Sequence, residues 1–238
     1  MTLAPSARSA IDGHVRLLVA WNASINLTSI RDPAEVAIRH VADSLTALPC
    51  LVAAGADAFI DLGSGGGFPG LPLAAAMSSV EALLVDSVAK KARFLAVAVD
   101  AVGLGDRVRV GSVRAEALAA DRRHRACWPA VTVRAVAPLA ELIELAFPLL
   151  VPEGVLVAWK RGDVDAEVQA ARRAVDALGG GSMETRSVVS DDRGSANVGR
   201  TSILGVLRGH RLVVVRRGST PVPAAYPRDP GARRRRPW

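Results

Sequence analysis

Twelve residues, Phe59-Ile60-Asp61-Leu62-Gly63-Ser64-Gly65-Gly66-Gly67-Phe68-Pro69-Gly70, constrain the fold more than any other stretch of this chain. A short apolar segment ends in an acid, turns through glycines and runs into a helix start. Glycine allows positive φ and lets the backbone approach a ligand with no side chain in between. The helix N-terminus behind the turn offers free N–H groups and the positive end of its dipole. A strand–turn–helix unit of this kind cradles a nucleotide-like cofactor.

Two registers compete for that turn. Gly65-x-Gly67-x-x-Gly70 satisfies the dinucleotide fingerprint and would imply a nicotinamide-dependent oxidoreductase. Asp61-x-Gly63-x-Gly65-x-Gly67 resembles the first motif of S-adenosylmethionine-dependent methyltransferases. An acid there could bind the cofactor's ammonium group, a contact that a pyrophosphate would repel. The second register is favoured.

With 238 residues, half of them hydrophobic, the chain can bury a substantial core. Cys50 and Cys127 are too few and too far apart for a disulfide framework or a metal cluster, and both read as reduced core thiols. No metal is expected. The opening residues lack a signal-peptide pattern, and Glu141, Glu144 and Pro148 interrupt the most apolar region, so a cytoplasmic protein outside the membrane is expected. Nine arginines from Arg208 onward face one acid, Asp229, while positions 1–207 hold 21 basic and 22 acidic residues. The net charge of +7 therefore belongs to the C-terminal end. Such a block is either a solvated tail or an electrostatic hand for nucleic acid, and the second reading is favoured.

Apolar runs alternate with helical stretches through the middle of the chain, the pattern of an α/β protein with a mostly parallel sheet. Strands are predicted at 58–62, 82–85, 108–111, 130–133 and 155–159, with two more at 186–189 and 212–215. Helices are predicted at 70–76, 88–102, 138–150 and 164–178, and loops at 179–181 and 190–200. Residues 1–55 read instead as a helical extension. One helix ends near Trp21, and a second spans Pro33 to Leu48 with Asp32 as its N-cap and Pro33 at its first position. The domain plan is an extension over 1–55, an α/β domain over 56–218 and a disordered basic tail over 219–238.

Further candidates fall where open α/β sheets bind ligands, at the carboxyl ends of strands. Asp86 can accept hydrogen bonds from ribose hydroxyls, or is a plain surface acid. Ala115 offers backbone groups to a base edge, and Glu116 is either a ligand or an ordinary helix-start acid. Arg134 emerges from an apolar strand, which requires an ion pair or a cleft.

Together these segments resemble the RsmG (GidB) family of bacterial 16S rRNA guanine-N7 methyltransferases. The resemblance runs from about Leu17 to Val215. It is carried by Trp21-Asn22, Asn26-Leu27-Thr28-Ser29, Arg39-His40 and Asp43-Ser44. The loop from Ile60 to Pro72 and the Val85-Asp86-Ser87, Lys90-Lys91 and Phe94-Leu95 segments follow. Arg114-Ala115-Glu116, Arg134-Ala135 and the stretch from Gly154 to Lys160 then come in the family's order. The chain departs from the family pattern at Val133 and at Lys160-Arg161-Gly162.

The resemblance implies a Rossmann-like class I methyltransferase that uses S-adenosylmethionine on 16S rRNA of the small ribosomal subunit. It implies cofactor contacts at Gly63, Phe68, Ala115, Glu116 and Arg134, to which the physical reading adds Asp61, Gly65 and Asp86. Arg39, His40, Lys90, Arg93, Lys160 and Arg161 are the candidates for RNA, although Arg39 could simply pair with Asp43 one helical turn on. No general base is expected, because guanine N7 already offers a lone pair. The alternatives are a methyltransferase acting on a small molecule or protein, and a non-catalytic RNA-binding assembly factor.

Overall fold

The computed structural model describes residues 2–134, 137–189 and 203–238. Ala135 and the predicted loop at 190–200 lie outside them. Five strands, β1 (Ala58–Leu62), β2 (Glu81–Val85), β3 (Val108–Gly111), β4 (Trp128–Arg134) and β5 (Leu150–Arg161), pair in parallel. Two more, β6 (Gly181–Ser187) and β7 (His210–Arg217), join antiparallel, giving the order β3-β2-β1-β4-β5-β7-β6.

Strand residues alternate between the two faces, and both faces are covered, which is why the parallel strands read as unbroken apolar runs. Phe59, Leu84 and Val157 face one core beneath α1 (Pro5–Ile25), α5 (Gly70–Ala76) and α6 (Ala89–Ala101). Ile60, Val131 and Val213 face the other, beneath α7 (Ala115–Ala120), α8 (Leu139–Ala146) and α9 (Asp165–Ala177). α7 has no counterpart among the helices predicted from the sequence, since Ala115–Ala120 is only six residues and too short to show a period.

The N-terminal layer departs from prediction in two places. α1 runs past Trp21 to Ile25 and stops at Asn26, whose φ of 48° is the left-handed stop that asparagine tolerates. The second helix starts as predicted, with the Asp32 carboxylate accepting hydrogen bonds from the Ala34 and Glu35 amides. After α2 (Pro33–Val36) it widens into a π-helical stretch, Ala37–Ala42, before α3 (Asp43–Leu45) and α4 (Leu48–Ala53). Such widened turns often sit at functional sites, and this one carries Arg39 and His40. The run Pro33–Ala53 is long and apolar enough to cross a membrane, but Val36, Val41, Leu48 and Leu51 are buried in the first core.

The tail is the largest correction. Residues 219–238 were expected to be disordered. Instead they lie against α8 and form a last short helix, α11 (Pro230–Arg235), whose N-cap Asp229 accepts from the Ala232 amide at 2.9 Å; α10 (Ile203–Leu207) precedes β7. Proline and charge remove any periodic signal there, but Glu141 and the buried Glu144 on α8 supply partners for the arginines. A smaller correction concerns the thiols: Cys50 is buried as expected, whereas Cys127 is exposed.

Candidate functional site

The glycine turn between β1 and α5 is tied to the next strand by its own backbone. The Gly63 and Ser64 amides donate to the Val85 carbonyl at 2.8 and 2.9 Å, and Gly67 and Phe68 donate back to Ser64. Gly63, Gly65 and Gly67 take φ values of 74°, 56° and 92°, which a side chain would oppose. At Gly70 the restriction is space: a Cβ there would collide with Leu84 and sit 2.7 Å from the Asp61 carboxylate.

Asp61 does not face a cleft. It is fully buried, with Oδ1 accepting from the Thr132 hydroxyl at 2.8 Å and Oδ2 from the Gly70 amide at 3.0 Å. Burial pushes its carboxyl up to about 6, against the hydrogen bonds from Ser64, Thr132 and Gly70 and the charge of Arg134. The expected ammonium contact is therefore replaced by an internal one: Asp61 holds the start of α5 against β1. Asp86 is likewise closed on the backbone, accepting from Gly65 at 3.0 Å and Val88 at 2.8 Å. Both acids stand at strand ends as the sequence required, and both shape the loops around the cleft.

The cleft itself opens beside them. A cavity of about 220 Å³, partly open to solvent, is lined by Gly63, Val85, Ser87, Ala115, Glu116 and Val133, among others. Of the eight predicted cofactor residues it collects Gly63, Ala115 and Glu116, and not Asp61, Gly65, Phe68, Asp86 or Arg134. Its floor is apolar and its rim polar, the arrangement of small-molecule sites. Positive-φ backbone on one wall and polar side chains on the other suit an adenosine-bearing cofactor.

Phe68 and Arg134 belong to a second cluster. The Phe68 ring lies between His14 and His40, with centroids 4.7 and 4.9 Å away, and the Arg134 guanidinium sits 5.4 Å from its centre. Arg134 donates to Asp43 at 3.1 Å and to Nδ1 of His40 at 3.2 Å. His40 thus accepts at Nδ1 and bonds the Thr28 hydroxyl through Nε2 at 2.8 Å, which sets its tautomer. Burial, followed by the Arg134 charge, holds the His40 imidazole down to about 4, so it is neutral. Asp43 also takes Nδ1 of His210 at 2.8 Å, and its carbonyl accepts from the Trp159 indole. The alternative pairing of Arg39 with Asp43 is not made; Arg39 stands 3.9 Å from Glu35 instead.

A second cavity, of about 450 Å³, opens over this cluster and is walled by Arg39, His40, Arg134, Lys160, Arg161 and His210, among others. It gathers four of the six RNA candidates. Lys90 and Arg93 lie on α6 and do not line it. Lys160 is engaged with Glu167 at 2.7 Å and with the Ala137 carbonyl. His210 was not singled out from the sequence, because a lone histidine opening a late strand carries no local pattern. Its partner Asp43 comes from 167 residues away.

Comparison with known proteins bears on the family and the fold. The family model for GidB, rRNA small subunit methyltransferase G, matches residues 8–195. The ribosomal RNA small subunit methyltransferase G of Roseiflexus castenholzii is 40% identical over 222 residues, covering 92% of this chain and 87% of that protein. The Bacillus pumilus protein of the same name is 33% identical over 237 residues, covering all of this chain and 93% of its own. In fold, the chain is similar to the crystal structure of an O-methyltransferase from Bacillus cereus in complex with SAH. The TM-score is 0.59 at 15% identity, with 87% of this chain and 91% of that one covered. The antiparallel β7 between β5 and β6 also separates this sheet from the 3-2-1-4-5-6 dinucleotide order.

Proposed function

The chain belongs to the rRNA small subunit methyltransferase G family, and from that premise we propose that it transfers the methyl group of S-adenosylmethionine to N7 of a guanine in 16S rRNA, in the cytoplasm. The observation that carries this reading is the pair of cavities at the carboxyl edge of one sheet. The first fits an adenosine-bearing cofactor, and the second is walled by arginines and histidines.

The cofactor supplies a methyl group already activated toward a nucleophile. The protein's own task is to hold and orient. Gly63 and Ala115 present backbone to the cofactor, and Glu116 stands at its adenine side. Arg39 and Arg161 are the cations of the second cavity available to phosphate, since Arg134 and Lys160 are committed to Asp43 and Glu167. Guanine N7 presents a lone pair, so no proton has to leave first and no general base is assigned. Holding the reactants in line is worth up to roughly 7–11 kcal/mol in favourable cases. An N7 edge lies in the deep, narrow groove of an RNA helix, so the target belongs in a loop or an opened segment.

The test is incubation with labelled S-adenosylmethionine and small ribosomal subunits lacking this methylation, followed by digestion and nucleoside analysis. Label in N7-methylguanosine at one site is the expected result. Label in another nucleoside, or none with cofactor binding intact, overturns the acceptor assignment.

A further inference from the structure

The last twenty residues touch the cofactor cleft. Arg233, buried on α11, lines the first cavity together with Glu116 and Glu141. It donates to the Glu116 carboxylate, to Glu141 at 3.1 Å, and to the Arg228 carbonyl at 2.8 Å. Glu116 opens α7 and Glu141 opens α8, so one guanidinium ties together the helix starts on both sides of the cleft.

The tail is held there by contacts that do not involve Arg233. Glu144 on α8 is fully buried, and Arg228 grips it through its backbone amide at 2.7 Å and its guanidinium at 2.6–3.2 Å. The Trp238 indole donates to the same carboxylate at 2.6 Å. Arg228 also lies 4.7 Å from the Trp238 ring, which stacks with Tyr226. Arg125 adds bonds to the carbonyls of Tyr226, Pro223 and Val222. A buried carboxylate needs a partner, so α8 can be seated as it is only with the tail in place.

We propose that residues 219–238 form the outer wall of the adenine end of the cofactor cleft, and that Arg233 is a positioning residue that acts through Glu116. This rests on the S-adenosylmethionine reading above. Without Arg233, two carboxylates of like charge face each other at the rim, and Glu116 is free to turn into water. With it, one Glu116 oxygen is committed to the guanidinium and the other is left to accept a hydrogen bond from an amino group such as that of adenine. The arginine block is then not only a hand for nucleic acid: Arg228 and Arg233 point inward, while Arg234, Arg235 and Arg236 remain exposed.

The experiment uses the full chain and titrates S-adenosylhomocysteine and S-inosylhomocysteine, which lacks the adenine amino group, into the wild type, Arg233→Gln and Arg233→Lys. The wild type should prefer S-adenosylhomocysteine. Arg233→Gln should weaken it about tenfold and lose most of that preference, while Arg233→Lys keeps part of both. In turnover, Arg233→Gln should raise KM for S-adenosylmethionine with kcat nearly unchanged, the mark of lost uniform binding. An equal Kd for both ligands in the wild type overturns the role of Glu116 even if the variants fail to fold. A folded Arg233→Gln with unchanged or tighter binding overturns the wall. A wild type that binds neither ligand overturns the cofactor reading itself and the proposal with it.

Discussion

Arg134 ends β4 with its guanidinium between Asp43 and His40, and Asp43 is almost completely buried. Of the two roles the sequence left open, the ion pair is made, and the same residue also walls the cationic cavity. Removing one member of a buried pair leaves the other uncompensated, so Arg134→Met should lower stability by about 3 kcal/mol in urea unfolding. Asp43→Asn added to it should recover part of that loss. Acid sensitivity is a second property of single residues. Burial holds His14 down to about 4, opposed by its bond to the Gly66 carbonyl at 2.7 Å. The unfolded chain takes up that proton near 6.5, so the contribution is whole above 6.5 and is lost as pH falls toward 4, on the order of 3 kcal/mol. His40 acts in the same direction. Asp61, raised to about 6, opposes them, because the folded state binds its proton earlier than the unfolded one and gains stability as pH falls from 6. Urea midpoints measured from pH 7 to 4.5 should therefore fall, and His14→Gln should flatten the fall by about one proton.

At the scale of elements, the turn between β1 and α5 has two kinds of glycine. Gly70→Ala drives a methyl group into Leu84 and Asp61 and should cost about 1–3 kcal/mol, read as a lower melting temperature with weaker cofactor binding. Gly65 has room for a Cβ, and Gly65→Ala should cost only the left-handed backbone term, about 1–2 kcal/mol. This turn was legible because its chemistry is local. So was the parallel half of the sheet, where double coverage writes each strand as an apolar run. β6 was placed five residues late, since its residues Gly181–Ser187 are polar and mostly exposed and pair only because β7 offers a ladder. The π-helical stretch at Ala37–Ala42 was equally silent, because its residues fit an ordinary helix. In the site, position on the chain was legible and direction was not: Asp61 and Asp86 stand where expected, but their carboxylates turn to backbone amides supplied by neighbouring loops.

For the molecule as a whole, charge separates the two cavities. The first balances Glu116 and Glu141 against Arg114 and Arg233, while the second sets Arg39, Arg134, Lys160 and Arg161 against Asp43 alone. Neutralising Arg39 or Arg161 to Gln should weaken binding to small ribosomal subunits and reduce its salt dependence by slightly less than one unit of slope each. Titration of S-adenosylhomocysteine into the same variants should be unchanged, and a parallel loss there would mean that the two cavities do not act separately. The partner distances also set an order in time. Glu144 and Arg228 are 84 residues apart in the chain. At roughly 5–20 residues per second of synthesis, the acid waits several seconds for its arginine. In that interval every strand of the sheet has been made, yet α8 carries a carboxylate it cannot bury as an anion. A growing chain therefore holds every strand of its sheet before it can close its cleft, which waits for Arg228 and Arg233.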